Sequence, residues 1–463
     1  MDTNSLSIEK FKGPKYRRLY DALDRAIRSG MLRPGARLPP VRELAWQLKI
    51  TPGTVARAYQ LATDDGLLEA TVGRGTFVRS AERSLADMPA NDIASLDNDQ
   101  HLNFRNGHII DVGQSALMAD ILREIAGSDS FDLGRYAQTS ELHSCQQAAT
   151  DWLIGRGINA RSSDLILTHG GHNAVMVALI SILHGRDPVI VTSNLVYPGF
   201  RQSARICRAS LIGVDSDADG ICPDQLEAVC RKHRPQALLV SSNVHNPTCV
   251  QTPTHRREAI AALARKYDFQ IIEDDVYGTL IENPPTGYDV MCPDRTWYAT
   301  SLSKCFAAGV RIGFLQCPPG KGELGTRVMQ GMSLSISHLL TRMTEQLLNS
   351  GAIVDFARRL ASENTARVEI ARQILANWDV QSRYGVNLIW IRKPDRWTSG
   401  AFLTMCERRG VMVAPGDNFT LPGDRAPNSV RLTLSGAPDF PALHAGLKTV
   451  DAVLRSGPQG MLT

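Results

Sequence analysis

Lys304 lies in SLSKCFAAGVR, residues 301–311. A free lysine, pKa about 10.4, is a poor nucleophile at neutral pH. It becomes useful when a pocket lowers that pKa or when it is held as a Schiff base with a carbonyl. Ser301 and Ser303 flank it with small hydroxyls, and Arg311 follows seven positions on. An arginine fork can donate two hydrogen bonds to a phosphate. A second anion-binding signal lies upstream in THGGHNAV, residues 168–175. A glycine turn opening a helix presents backbone amides and a positive dipole end. Gly170, Gly171 and His172 would form that cradle, although His172 alone reads equally as a satisfied core histidine. IIEDDVYG, residues 271–278, ends a strand in carboxylates. Such a cluster can cap a helix, hold a metal or neutralise a cationic ring.

The elements that position these groups follow from periodicity. From residue 101 onward, LILTH, PVIVTS, ALLVSS, FQIIEDD, TWYATSLS and RIGFLQ are short apolar strands between amphipathic stretches. That alternation predicts an α/β domain with a mainly parallel sheet and helices on both faces. Residues 80–100 have few large apolar residues and no period, so they read as a linker.

The first 79 residues differ in kind. Their net charge is +6, against about −2 for the rest. A basic head on a near-neutral body suits contact with nucleic acid. A helix is predicted from about Lys15 to Gly30, with Leu19, Leu23 and Ala26 on one face. A second follows LPP. A third opens at Thr51 as N-cap with Pro52 at its first position, and stops at Gly66. LLEATVGRGTFV then alternates and turns at GRG, which predicts a two-stranded wing.

Hydrophobic content of 43% and charged content of 21% are those of a globular chain of two or three domains. No apolar run approaches the ~20 residues that span a bilayer. Nine cysteines without a CxxC pair argue against a disulfide framework or a zinc site, and for a reducing cytoplasm. Cys145, Cys207 and Cys230 read as small core residues.

The head string, from LPPVRELA to GRGTFV, resembles the winged helix-turn-helix of the GntR family over residues 10–79. That resemblance sends the third helix into the major groove of double-stranded DNA. It implies Thr51, Thr54 and Arg57 as groove readers, Arg42 at a phosphate or base edge, and Arg74 on the wing.

The body, residues 101–463, resembles the fold type I aminotransferases, with a smaller C-terminal subdomain and pyridoxal phosphate as cofactor. The resemblance makes Lys304 the Schiff-base anchor. It gives Asp274 the pyridine nitrogen, and gives Asn246 (in VHNPTCV) and Tyr277 the phenolate oxygen. Tyr197 would stack on the ring. Gly170, Gly171, His172, Ser301, Ser303 and Arg311 would hold the phosphate. Arg431, in SVRLTLSG, would clamp an effector carboxylate. Tyr136 would reach the phosphate of the other subunit of a homodimer. Cys249 stands where the family has glycine.

Head and body together are similar to the MocR subfamily of bacterial transcriptional regulators. The resemblance implies a cytoplasmic, nucleoid-associated homodimer that binds repeated operator half-sites. It would sense an amine or amino acid through an external aldimine at Lys304. Two alternatives stay open. One is an active aminotransferase with an accessory DNA-binding head. The other is a regulator of vitamin B6 supply that senses pyridoxal phosphate itself.

Overall fold

Leu19, Leu23, Leu44, Val55, Ala58, Ala62 and Val78 are almost fully buried together, and they form the core of the N-terminal unit. In the computed structural model the chain divides into two compact units, residues 1–91 and 92–463. Its described residues are 13–28, 31–32, 36–64, 67–71, 75–78, 101–106, 109–128, 132, 134–422 and 424–457. The expected linker, residues 80–100, and Arg74 lie outside them.

Among the described residues, three helices build the first unit: Lys15–Arg28, Val41–Gln47 and Pro52–Asp64. The apolar stripe at i, i+3, i+4 spacing puts one face of each into the shared core. The third helix starts where a capping side chain meets a proline. Thr51 Oγ1 accepts from the Thr54 amide at 3.3 Å and shares a hydrogen bond with Thr54 Oγ1 at 2.8 Å. Pro52 needs no donor at that position. The Tyr59 hydroxyl, donating to the Pro39 carbonyl at 2.9 Å, ties this helix to the LPP turn. Strands Leu68–Thr71 and Gly75–Val78 pair antiparallel, with Leu68 opposite Val78. Residues 36–38 extend the wing: Leu38 N donates to Thr76 O and Val78 N to Ala36 O, each at 2.8 Å.

The second unit is built on a seven-stranded sheet. Its spatial order is Leu165–Thr168, Gly313–Gln316, Thr296–Ser301, Gln270–Asp274, Ala237–Val240, Val189–Ser193 and Ser210–Val214. Only Gly313–Gln316 runs antiparallel to its neighbours. Five of these strands are buried along their whole length or nearly so. That explains their unbroken apolar runs, since a sheet covered on both faces has no polar side. The edge strand Ser210–Val214 was not among the expected ones. Its first residue is exposed and its next three are half-buried, and its apolar run is short and interrupted by Gly213.

A smaller antiparallel sheet follows, in the order Val380–Ser382, Leu388–Arg392, Ser429–Thr433, Ala414–Pro415. It packs on helices Ala352–Ile374, Ser399–Arg408 and Phe440–Arg455 around Ile389, Phe402, Leu432 and Leu447. Seven of the nine cysteines are buried; Cys207 and Cys222 are half-buried.

Candidate cofactor site and DNA-binding face

Strand ends of the large sheet gather most of the chemically capable side chains. Thr296–Ser301 leads into a tight turn that carries Lys304. The Lys304 amine lies 5.7 Å from the centre of the Tyr277 ring. Burial lowers its pKa; the Tyr197 and Asp274 side chains pull it back up, and Arg431 and Arg311 push it down.

Asp274 closes the Gln270–Asp274 strand. Burial, then the neighbouring Asp275 carboxylate, push its pKa up to about 7. Its Oδ1 is buried without a hydrogen-bond partner. A buried acceptor with no donor is costly, which marks a place for a cationic or donor group. The adjacent carboxylates serve a different purpose. Asp275 accepts from Asn243 Nδ2 at 3.0 Å and from the Tyr298 hydroxyl at 2.7 Å. Arg257 lies 3.5 Å from Glu273. This internal network was not legible in the sequence, because its members come from four separate segments.

Gly170 caps helix Gly171–Ile182 with φ of 89°. That backbone, in the left-handed half of the map, suits glycine. A side-chain carbon there would also lie 2.9 Å from the Arg311 guanidinium. Arg311 donates to the His169 carbonyl at 3.1 Å. A cation and the free amides of a twelve-residue helix therefore face one point. A side-chain carbon at Gly171 would lie 2.7 Å from Val276 and 3.6 Å from Ser301 Oγ. The Ser303 hydroxyl is buried without a partner. The rings of His172 and Tyr197 both pack against Gly199. Burial, then Arg311, lower the His172 pKa, which favours the neutral ring.

Asn246 and Arg431 meet. Arg431 donates to Asn246 Oδ1 at 3.1 Å and to the Arg105 carbonyl at 2.5 Å, and sits 4.8 Å from the centre of the Phe419 ring. Its Nε is buried without a partner. Arg431 stands opposite Trp390 in the small sheet, so the small sheet supplies this cation to the large one. Cys249 adopts φ of 61°, the left-handed conformation that glycine would take, and its thiol lies 3.3 Å from the Leu388 carbonyl. Tyr136 stays apart from this cluster and is 75% exposed. Its neighbour Arg135 pairs with Glu141 at 2.8 Å. A cavity of about 370 Å³ lies behind Tyr197 and Asn246, but neither Lys304 nor Asp274 lines it.

In the first unit Arg42, Thr51 and Arg57 are exposed and Thr54 is half-exposed. The Arg57 guanidinium lies 4.1 Å from the centre of the Tyr16 ring, which holds it over the first helix. Arg37 had no expected role. Its guanidinium sits 3.1 Å from where a side-chain carbon on Gly75 would be, so it adds a cation at the wing.

Residues 15–78 match the gntR family of bacterial regulatory proteins, and residues 103–439 match aminotransferase class I and II. The chain belongs to the class I and II aminotransferase family, with a gntR-type DNA-binding head at its N-terminus. Pyridoxal phosphate is the cofactor of such a body, and the fusion has the make-up of a pyridoxal phosphate-dependent transcriptional regulator. The chain is 25% identical over 456 residues to the HTH-type transcriptional regulator YdeF of Bacillus subtilis, covering 97% of this chain and 96% of that one. It is 26% identical over 480 residues to the HTH-type transcriptional regulator TauR of Rhodobacter capsulatus, covering 96% and 97%. The kynurenine aminotransferase of Pyrococcus horikoshii shares the fold, with a TM-score of 0.72 at 20% identity over 82% of this chain and 97% of that one. No helix among the described residues is long and apolar enough to cross a membrane.

Proposed function

We propose that this chain is a MocR-type regulator that senses an amine or amino acid in its pyridoxal phosphate pocket and changes its hold on operator DNA in response. One observation carries the reading. A DNA-binding head shares a chain with a half-buried lysine, an unpartnered buried carboxylate oxygen and an unpartnered buried hydroxyl at neighbouring strand ends of the large sheet.

The residues present fit the cofactor. Asp274 Oδ1 would meet the ring nitrogen, and Asn246 and Tyr277 the phenolic oxygen. Tyr197 would cover the ring. Gly170, Gly171, His172, Ser301, Ser303 and Arg311 would hold the phosphate. Bound there, the cofactor supplies an aldehyde open to amines and a conjugated ring that accepts electrons. Lys304 would hold the cofactor through its amine and yield it to an incoming effector. Arg431, with Nε unpartnered, would take a carboxylate or similar anion on that effector.

Exposed Tyr136 supports a homodimer whose sites are shared, because its own chain gives it no place in the cluster. Such a protein would act in the cytoplasm, at its operator. A change in operator occupancy requires that the effector favour one arrangement of the heads.

The test is the visible absorption of the purified protein before and after adding single amines and amino acids, with operator affinity measured in parallel. A band that shifts with one compound, persists, and accompanies a change in operator affinity supports the sensor. A band that bleaches and returns on adding a keto acid, with operator affinity unmoved, means that transamination is the function.

A further inference from the structure

His245, just before Asn246, uses both ring nitrogens. Nε2 lies 3.0 Å from the Leu195 carbonyl and 3.0 Å from Ser193 Oγ. Nδ1 lies 2.7 Å from Thr248 Oγ1. Leu195 leads to Tyr197 two residues on, and Thr248 belongs to the loop that carries Asn246. We propose that His245 is a positioning residue for the cofactor pocket, clamping the Asn246 loop to the Tyr197 loop so that both side chains meet the cofactor in register. This rests on the reading that Asn246 and Tyr197 contact the cofactor.

The hydrogen-bond inventory selects one state of the ring. A carbonyl only accepts, so Ser193 Oγ, 2.5 Å from the Leu195 carbonyl, gives its proton there. Ser193 Oγ keeps lone pairs for a donor at Nε2. With the proton on Nε2, His245 donates toward Leu195 and Ser193, and bare Nδ1 accepts from Thr248. The other neutral tautomer would aim a lone pair at the Leu195 carbonyl oxygen. The cation is disfavoured too, because burial pushes the pKa down to about 4.

Direct bonds matter here because packing is incomplete. Ser193, Leu195, Tyr197, His245, Asn246 and Thr248 all border the 370 Å³ cavity. Neither loop can be fixed by close contact on that side. Asn246 is held at its tip by Arg431, but its backbone is fixed by a short loop that closes through His245 N to Val250 O at 2.8 Å and Cys249 N to His245 O at 2.7 Å. The imidazole is the side chain that ties this loop to the neighbouring one. Binding groups keep productive geometry only when their supporting hydrogen bonds do.

The test compares His245→Leu with His245→Gln in the full-length protein, reading cofactor affinity and the visible band. Leucine removes both ties. Glutamine can still donate from its nitrogen and accept at its oxygen. Leucine should weaken cofactor binding by about tenfold or more and shift the band, while glutamine should stay within about threefold of the wild type. Wild-type behaviour of the leucine variant, or glutamine as weak as leucine, overturns the proposal. If the leucine variant does not fold, Thr248→Val takes its place, since it removes only the Nδ1 partner. A loss of several-fold with a band shift supports the clamp, and an unchanged affinity and band overturns it. Asn246→Ala and Tyr197→Leu are measured alongside. If neither alters cofactor affinity, the reading of the pocket is at fault rather than the clamp.

Discussion

At the residue scale, Lys304 and Asp274 are held against their solvent preferences in opposite senses. Burial lowers the lysine pKa and raises that of the aspartate, so both drift toward neutral forms in a protein without cofactor. Lys304→Ala should abolish the visible band while leaving the melting transition and operator binding by the head. A variant that keeps the band moves the anchor elsewhere. Asp274 also makes a prediction about pH. Its folded pKa, about 7, lies above the ordinary carboxylate value. The folded protein therefore binds more protons than the unfolded chain between about pH 4 and pH 7, and stability falls as pH rises through that window. Removing the cofactor should expose this slope in the melting temperature. Asp274→Asn should flatten it. An equal slope in that variant assigns it to other buried acids such as Glu273, whose pKa is pushed up to about 8. Lys304 and Asp274 were legible from residue type and motif. The Asp275–Asn243–Tyr298 network and the ties of His245 to Ser193 and Leu195 were not, because their partners are 23 to 52 positions apart and share no local pattern.

At the element scale, the work is done by helix starts. Two of them, Gly170 and Thr51, follow from simple rules and were expected. Gly170→Ala must place a methyl group against the Arg311 guanidinium on a backbone with φ of 89°. Cofactor affinity should fall by about tenfold or more, since strain of this kind costs on the order of 1–3 kcal/mol. Inorganic phosphate should lose its ability to compete with the cofactor, a readout that a loss confined to the ring would not give. On the head, Arg57→Ala should weaken operator binding by about tenfold or more, as expected for a side chain worth ~1–3 kcal/mol at a base edge. The visible band should not change. Unaltered operator affinity would mean that the Tyr16 ring keeps Arg57 out of the groove. Periodicity found the strands that are apolar throughout. It passed over Ser210–Val214, an edge strand half open to solvent whose apolar run is short and interrupted by Gly213. It also could not see that Arg431 and Trp390 would stand side by side, since that pairing is set by sheet register.

At the scale of the whole molecule, the proposed function gives the head and the body a ligand each, and linkage would join them. If an effector lowers operator affinity by a factor α, the operator must lower effector affinity by the same factor. A tenfold change corresponds to about 1.4 kcal/mol, well within what a few altered contacts supply. This makes a prediction that needs no knowledge of how the two units are arranged. The effector is titrated by the visible band, once with operator DNA in excess and once without. Operator affinity is measured at zero and saturating effector, in the same salt, because phosphate contacts by the basic head make every operator constant salt-dependent. The two ratios should agree. A large shift in operator affinity with an unmoved effector constant breaks the reciprocity for a single reversible system. It would indicate that the added compound has been consumed, leaving a chemically altered cofactor, and it would move the body from sensor to enzyme.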